Sequence, residues 1–316
     1  MPDSRPLGRS GLVTPPLMLG GNVFGWTADK QASFAVLDAF VAGGGTLIDT
    51  ADVYSAWAPG NQGGESETII GEWLKTRGRR DDVLIATKVG MLEGPDGKGL
   101  APAHVASACE ASLKRLGTDY IDLYFAHQDD DNVPQAEVMA AFGALVKTGK
   151  VRAIGASNFS ANRLRSALAA SDAAGLVRFT VLEPHYNLVE RAKFEGPLQD
   201  LCVAEGIGVV PYFALAAGFL TGKYRGEGEA GDSPRAQGAA KYLDERGRRV
   251  LDALDRVAAE QDAAVASVAL AWLASRPSVV APIASARTVA QLPDLLYAMS
   301  LQLTPDQIAR LDAASA

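Results

Sequence analysis

Short apolar runs alternate with longer helix-periodic stretches along almost all 316 residues of the chain. The runs at 17–20, 46–48, 83–87, 121–125, 151–155, 179–182, 207–211 and 279–282 are too short and too uniformly apolar for a solvated face to be expected. Strands of that kind are buried on both sides, as in a parallel sheet covered by helices. Between them, the stretches 30–42, 67–76, 102–116, 135–147, 161–170, 198–204 and 250–274 carry the helical period. Eight strands separated by helices predict a (β/α)8 TIM barrel in the α/β class rather than two doubly wound units. A prior of about 150 residues per domain would give two domains. No linker divides the chain, however, so one barrel domain is expected over residues 1–316.

Two segments exceed a minimal barrel. Residues 5–13 read as a small hairpin turning at Gly8-Arg9-Ser10-Gly11, expected to cap the bottom of the barrel. Residues 213–239 form a long, Gly-rich and charged loop after the seventh strand, and connections beyond about 15 residues are usually lids or disordered. Gly226, Gly228 and Gly231 match G-x-G-x-x-G inside it, but no strand precedes them and Glu227 and Glu229 would repel a pyrophosphate. The loop reading is the better one.

Composition closes off several classes of function. Thirty basic against 37 acidic side chains, a net charge of −7, give no reason to expect nucleic acid as a partner. Cys109 and Cys202 stand far apart without C-x-x-C spacing, so a disulfide scaffold is not expected. The opening MPDSRPLGRSG has no apolar segment after its arginines, and no run reaches about 18 apolar residues. Neither a secretory signal nor a membrane span is expected, and the protein is expected to be cytoplasmic. His104, His127 and His185 lack ligand spacing and Asp129-Asp130-Asp131 reads as a solvated loop, so no metal is expected.

A barrel of this type carries its chemistry just past the C-terminal strand ends. Those positions hold Asn22, Asp49, Tyr54, Lys88, His127, Ser157, Asn158, Glu183, Tyr212 and Ser285. Singly, each has an ordinary explanation: Asp49 as a cap, Lys88 as a solvated strand end, His127 as a packed histidine. Their recurrence at one end favours a site. A phenol of pKa about 10 is a poor acid at neutral pH, but an adjacent ammonium lowers that value and a carboxylate holds the ammonium. Tyr54, Lys88 and Asp49 supply those groups, and His127 can orient a carbonyl oxygen. Such a set suits protonation of an oxygen while hydride reaches the carbon, and since no side chain transfers hydride a nicotinamide cofactor is expected.

The stretches LIDTADVYS (47–55), IATKVG (85–90), LKRLGTDYIDLYFAHQ (113–128) and GASNFS (155–160) resemble the aldo-keto reductases. So do PHYNLVER (184–191), GFLTGKYR (218–225) and ASARTVAQL (284–292), so the resemblance runs over nearly the full length. It implies a (β/α)8 barrel, dependence on NADP(H) more than NAD(H), and a catalytic set of Asp49, Tyr54, Lys88 and His127. It also implies that Ser157 and Asn158 bind the nicotinamide carboxamide and that Tyr212 stacks on the ring. Leu215, Gly218 and Lys223 fall where the family's loop follows the pyrophosphate, with residues 213–239 expected to order over it. Arg287 and Gln291 match the adenosine end, where an arginine meets the 2′-phosphate. Gly21, Asn22, Asp49 and Ser285 join the cofactor site by their place at strand ends.

Three places depart from the family pattern. The insert AWAPGNQGGES brings Trp57 toward the expected substrate mouth, where Trp26 and Phe24 are further aromatic candidates. Glu183 stands where the family has glutamine, and Pro293 and Asp294 replace its usual adenosine-site residues. The implied activity is reversible reduction of an aldehyde or ketone. A sugar or polyol dehydrogenase, or a cofactor-sensing regulatory module like the potassium-channel β subunits, are the alternatives. The partner expected is a small carbonyl or sugar substrate; the sequence carries no signal for an oligomeric state.

Overall fold

Eight parallel strands share one sheet, and their order follows the chain except at its end. The computed structural model describes residues 3–226 and 236–316. The strands are β3 (Met18–Gly20), β4 (Leu47–Asp49), β5 (Leu84–Val89), β6 (Ile121–Ala126), β7 (Val151–Ser157), β8 (Val181–Glu183), β9 (Gly208–Val209) and β10 (Ile283–Ala284). They follow the hairpin strands β1 (Arg5–Pro6) and β2 (Val13–Thr14), and the sheet order is β10-β3-β4-β5-β6-β7-β8-β9. The sheet curls toward a barrel. Val209 N–H donates to the Ser278 carbonyl, Val280 N–H to Val209 and Ile283 N–H to Pro211, at 2.8–2.9 Å.

Helices α1 (Lys30–Ala42), α2 (Glu65–Arg77), α3 (Pro102–Leu116), α4 (Gln135–Lys147), α5 (Ala161–Ala174) and α6 (Pro197–Glu205) alternate with the strands. Then come α7 (Ala236–Ala240), α8 (Glu245–Gln261), α9 (Val265–Ala274), α10 (Leu292–Tyr297) and α11 (Pro305–Ser315). Their ends follow from local chemistry. Asp29, Ser160 and Asp244 accept from backbone N–H groups of the first turn, and Thr304 with Gln307 forms a capping box. Gly78, Gly117, Gly175 and Gly206 close α2, α3, α5 and α6 in the left-handed conformation.

Two expected elements differ. The single helix expected over 250–274 is broken at Asp262, which adopts φ +48°, and α8 and α9 meet at 97°. Aspartate tolerates that conformation, and the bend lays α9, apolar but for Ser267, into the core. The last strand pairs at Ile283–Ala284 rather than over 279–282, because 279–280 bond toward β9 while Ile283 and Ala284 pair with Met18 and Leu19. The expected hairpin is present and packs where a cap would, since a Cβ on Gly8 would lie 2.2 Å from the Thr180 carbonyl and 2.5 Å from Gly208 N. Of the long loop, residues 227–235, with Gly228 and Gly231, lie outside the described residues.

The pleat divides the core in two. Met18, Leu47, Ala86, Leu123, Phe125, Val181, Val210 and Ile283 point to the inside of the curl, with Leu7 and Leu12 of the hairpin beneath them. Leu19, Ile48, Ile85, Tyr124, Ile154, Leu182 and Val209 point out into the helix layer. Gly155 makes room for this inner core, because a Cβ there would meet the Phe125 ring at 2.4 Å.

The lower ends of β5, β6 and β7 are tied by one carboxylate. Asp122, with only 1% of its side chain exposed, accepts from Arg80 Nη2 at 2.6 Å, Arg152 Nη1 at 2.6 Å and Ile85 N–H at 2.9 Å. Removing it strands a guanidinium and an amide, so Asp122→Ala is expected to lower unfolding free energy by about 3 kcal/mol. Arg152 is half exposed, so Arg152→Ala is expected to cost less than about 1 kcal/mol. Urea denaturation of both variants checks the order; equal losses would contradict it.

Candidate functional site

One pleat above the inner core, the side chains change from apolar to polar. Asp49 follows Leu47 by two residues, Lys88 follows Ala86, His127 follows Phe125, Ser157 follows Gly155, and Glu183 follows Val181. Tyr212 and Ser285 stand in the same relation to Val210 and Ile283. Side chains two apart on a strand share a face. These residues therefore converge at the upper mouth of the curl, and all but Lys88 line one cavity of about 880 Å3.

Lys88 lies beneath that cavity, wholly buried. Its ammonium donates to Asp49 Oδ1 at 2.5 Å, to the Thr50 carbonyl at 3.0 Å and to Tyr54 Oη at 3.0 Å. Glu183 Oε1 is a further 3.5 Å neighbour. Burial disfavours the charge, but Asp49 and Glu183 outweigh it and hold Lys88 above its ordinary range. Burial pushes the Asp49 carboxyl up against the pull of Lys88. The Tyr54 hydroxyl, 3.5 Å from Asp49 Oδ2, behaves otherwise than the ammonium alone suggests. Burial and the charge of Asp49 together push its pKa up, despite Lys88. Tyr54 thus rests as a protonated phenol whose conjugate base has an ammonium waiting beside it.

His127 packs edge-on against Tyr54 with ring centroids 5.9 Å apart. Burial and the charge of Lys88 keep it well below its usual pKa, so it is neutral. Asn158 ties the neighbouring strands together: its Nδ2 donates to the His127 carbonyl at 2.9 Å and its Oδ1 accepts from Tyr212 Oη at 2.7 Å. Ser157 Oγ donates to the Glu183 carbonyl at 2.9 Å. His185 lies behind Tyr212 and Phe213, 5.3 and 5.2 Å from their rings.

The insert after Tyr54 is pinned rather than loose. Asn61 Nδ2 donates to the Gly25 carbonyl at 2.8 Å and the Ser55 carbonyl at 3.2 Å. Glu65 accepts from the N–H groups of Ser55, Gln62 and Gly63. Trp57 is thereby held against Tyr54 and Trp26, at centroid distances of 5.6 and 5.9 Å. Trp57, Met91 and Phe213 are each nearly half exposed and line the cavity with Trp26. Met91 and Phe213 carried no signal in sequence beyond their place one or two residues past a strand-end position.

The cavity continues away from this rim. Asn22, Leu215, Gly218, Lys223, Ser285, Arg287 and Gln291 line it, and Ser285 Oγ donates to Asn22 Oδ1 at 2.8 Å. Residues 216–218 all have positive φ, and in this turn the Ala216 and Gly218 N–H groups donate to the Phe213 and Leu215 carbonyls at 2.7 and 2.8 Å. Arg287 is half-buried and has no ion-pair partner among the described residues. Two expected residues are placed elsewhere. Gly20, not Gly21, lines the cavity; a Cβ on Gly21 would meet the Asp49 carbonyl at 2.6 Å. Phe24 is fully buried in the outer core. Among the described residues no three His, Cys, Asp or Glu side chains are grouped to hold a metal ion.

Residues 16–316 match the Aldo/keto reductase family. An uncharacterized oxidoreductase, YrpG, of Bacillus subtilis is 35% identical over 97% of this chain and 94% of its own length. The aryl-alcohol dehydrogenase [NADP(+)] of Phanerodontia chrysosporium is 34% identical over 94% of this chain and 82% of its own. A probable voltage-gated potassium channel subunit beta of rice, Oryza sativa, is 32% identical, covering 97% and 94%.

Proposed function

Because the chain belongs to the aldo/keto reductase family, we propose that it is an NADP(H)-dependent oxidoreductase that reversibly reduces an aldehyde or ketone to the alcohol, with Tyr54 as proton donor. The observation that carries the reading is one buried ammonium, Lys88, joining Asp49 and Tyr54 at the floor of the cavity. On this reading the eight strands close as a one-domain (β/α)8 barrel, with 209–211 and 278–283 as its seam.

The residues present fit a dinucleotide. A bare, buried Glu183 Oε2 at one end and an Arg287 guanidinium without an ion-pair partner among the described residues at the other suit a carboxamide and a phosphate. Ser157, Asn158 and Glu183 would hold the carboxamide and Tyr212 the ring face. Leu215, Gly218 and Lys223 would follow the pyrophosphate, and Arg287 with Gln291 would hold the adenosine phosphate. When bound, the reduced nicotinamide supplies the hydride that no side chain can.

The chain's own part is the proton and the oxygen. Tyr54 donates its phenolic proton to the carbonyl oxygen, and the ammonium 3.0 Å away stabilises the phenolate left behind. Asp49 fixes that ammonium. Neutral His127 offers one N–H to orient the oxygen, and the same Lys88 charge that aids the phenolate keeps His127 from becoming the acid. Trp26, Trp57, Met91 and Phe213 support a substrate with a planar apolar body over a polyol, in line with the aryl-alcohol dehydrogenase relative. The similarity to a channel β subunit favours a second reading, a cofactor-sensing module; sustained NADPH oxidation with an aromatic aldehyde tells the two apart.

Tyr54→Phe is expected to lower single-turnover hydride transfer by about 10²–10⁴-fold while leaving the Kd for NADPH nearly unchanged. Retention of more than about a tenth of the rate would move the donor role to His127. A charge-assisted Arg287–phosphate contact worth about 2 kcal/mol predicts NADPH binding at least about ten-fold tighter than NADH. Arg287→Ala is expected to erase most of that preference in fluorescence titrations; equal affinities in the unmodified protein would refute it.

A further inference from the structure

An ammonium has three hydrogens to donate. Those of Lys88 are engaged by Asp49 Oδ1, the Thr50 carbonyl and Tyr54 Oη. Glu183 Oε1, at 3.5 Å, is the most distant of the four oxygens around the ammonium and is held mainly by the charge of Lys88. Its Oε2 has no hydrogen-bond partner among the described residues, although Glu183 is 2% exposed and lines the cavity. A carboxylate in that position would be a buried anion with a bare oxygen, next to an ammonium already neutralised by Asp49. Such an anion is costly, and the cheaper form carries the proton. The other titratable groups facing it do not change the outcome. Tyr54 and Tyr212 are protonated phenols, His127 is neutral, and Asp49 repels a second negative charge. In keeping with this, burial and then Asp49 lift the Glu183 carboxyl to about 8, against Lys88.

A positive charge brought into the cavity beside Oε2 reverses that balance, whereas a neutral ring leaves it standing. Resting on the cofactor reading above, we infer that Glu183 discriminates oxidised from reduced cofactor by its own ionisation. The carboxyl stays protonated against the neutral dihydronicotinamide and releases its proton to solvent when the cationic, oxidised ring binds. The exchange balances: one O–H bond of Glu183 breaks, the proton leaves to bulk water, and the carboxylate offsets the ring's single positive charge. A glutamine at this position offers the same hydrogen bonds and no such exchange. Glu183 is here a positioning residue, acting on cofactor preference and not on the reacting carbonyl.

The sign follows from linkage. The complex with oxidised cofactor binds one proton fewer than the free protein wherever free Glu183 is protonated, so affinity rises with pH up to about 8 and then levels. The 2′-phosphate is common to both cofactors, so its own titration cancels in their comparison. The test is titration calorimetry of the unmodified protein with NADP+ and with NADPH at pH 7, in buffers of different ionisation enthalpy. Expected is the release of nearly one proton more with NADP+ than with NADPH, and a ratio of the two affinities that shifts toward NADP+ by up to about ten-fold per pH unit below pH 8. In Glu183→Gln the difference is expected to vanish and the ratio to become flat with pH. Should that variant fail to fold, infrared difference spectra of the unmodified protein still decide. Loss of a protonated-carboxyl band on adding NADP+, but not NADPH, supports the inference. Equal proton exchange with both cofactors, or an unchanged band, overturns it while leaving the cofactor reading intact; binding of neither cofactor overturns both.

Discussion

The buried ammonium of Lys88 is the charge around which the upper end of the sheet is arranged. Taking such an ion out of water is tolerable only when its hydrogens are all accepted and a counter-charge lies against it. Strand pairing provides both. Asp49 ends β4 beside Ala86 of β5, so the lysine one pleat above Ala86 meets the carboxylate from the adjacent strand. Tyr54 then returns over the pair from the loop after β4. Each of the three groups alters the others: the carboxylate keeps the lysine charged, and burial with the carboxylate keeps the phenol protonated. Proton donation from such a phenol needs a nearby charge able to receive the phenolate, and the same ammonium supplies it.

The two ends of the sheet answer to different demands. At the lower end Asp122 has its carboxylate oxygens bound by two guanidinium groups and a backbone amide. Behind the site, Glu67 is likewise held by Thr87 Oγ1 and Arg115 Nε, both at 2.6 Å. Both oxygens of each of these carboxylates are engaged, which is the ordinary condition of buried polar groups. The upper end is not saturated. Among the described residues Glu183 Oε2 and His127 Nδ1 are buried without partners, and both residues line a cavity with polar and aromatic groups in its wall. Unmet hydrogen-bonding capacity is costly, and here two such atoms belong to residues that line one cavity.

The rim illustrates how a loop becomes a rigid wall. Twelve residues, 55–66, separate Tyr54 from Glu67, enough to make a mobile flap. Asn61 and Glu65 instead bind carbonyl and amide groups within the insert and on the facing Gly25. Trp57 is therefore presented to the cavity in a fixed attitude, stacked edge-on between Tyr54 and Trp26. A preorganised aromatic face loses little conformational freedom when a planar ligand meets it.

The sequence by itself determined the eight apolar runs, the helices between them and the polar residue one pleat beyond each run. Leu47 before Asp49, Ala86 before Lys88, Phe125 before His127 and Val181 before Glu183 are relations within single strands. A period of two is readable there without neighbours. Helices α1, α3 and α4 were legible to the residue, because their boundaries rest on local caps, prolines and glycines. Tertiary structure decided what depends on distances between strands. It set the direction of the Tyr54 shift, where a carboxylate and burial outweigh an ammonium. It left Glu183 the most distant oxygen around Lys88, at 3.5 Å, because three nearer acceptors had taken the hydrogens. It also buried Phe24, exchanged Gly21 for Gly20 at the cavity and bent the chain at Asp262, each through packing against segments distant in sequence. Spacing along a strand fixes which face a side chain takes; only the register and curl of the sheet fix how far it stands from the next.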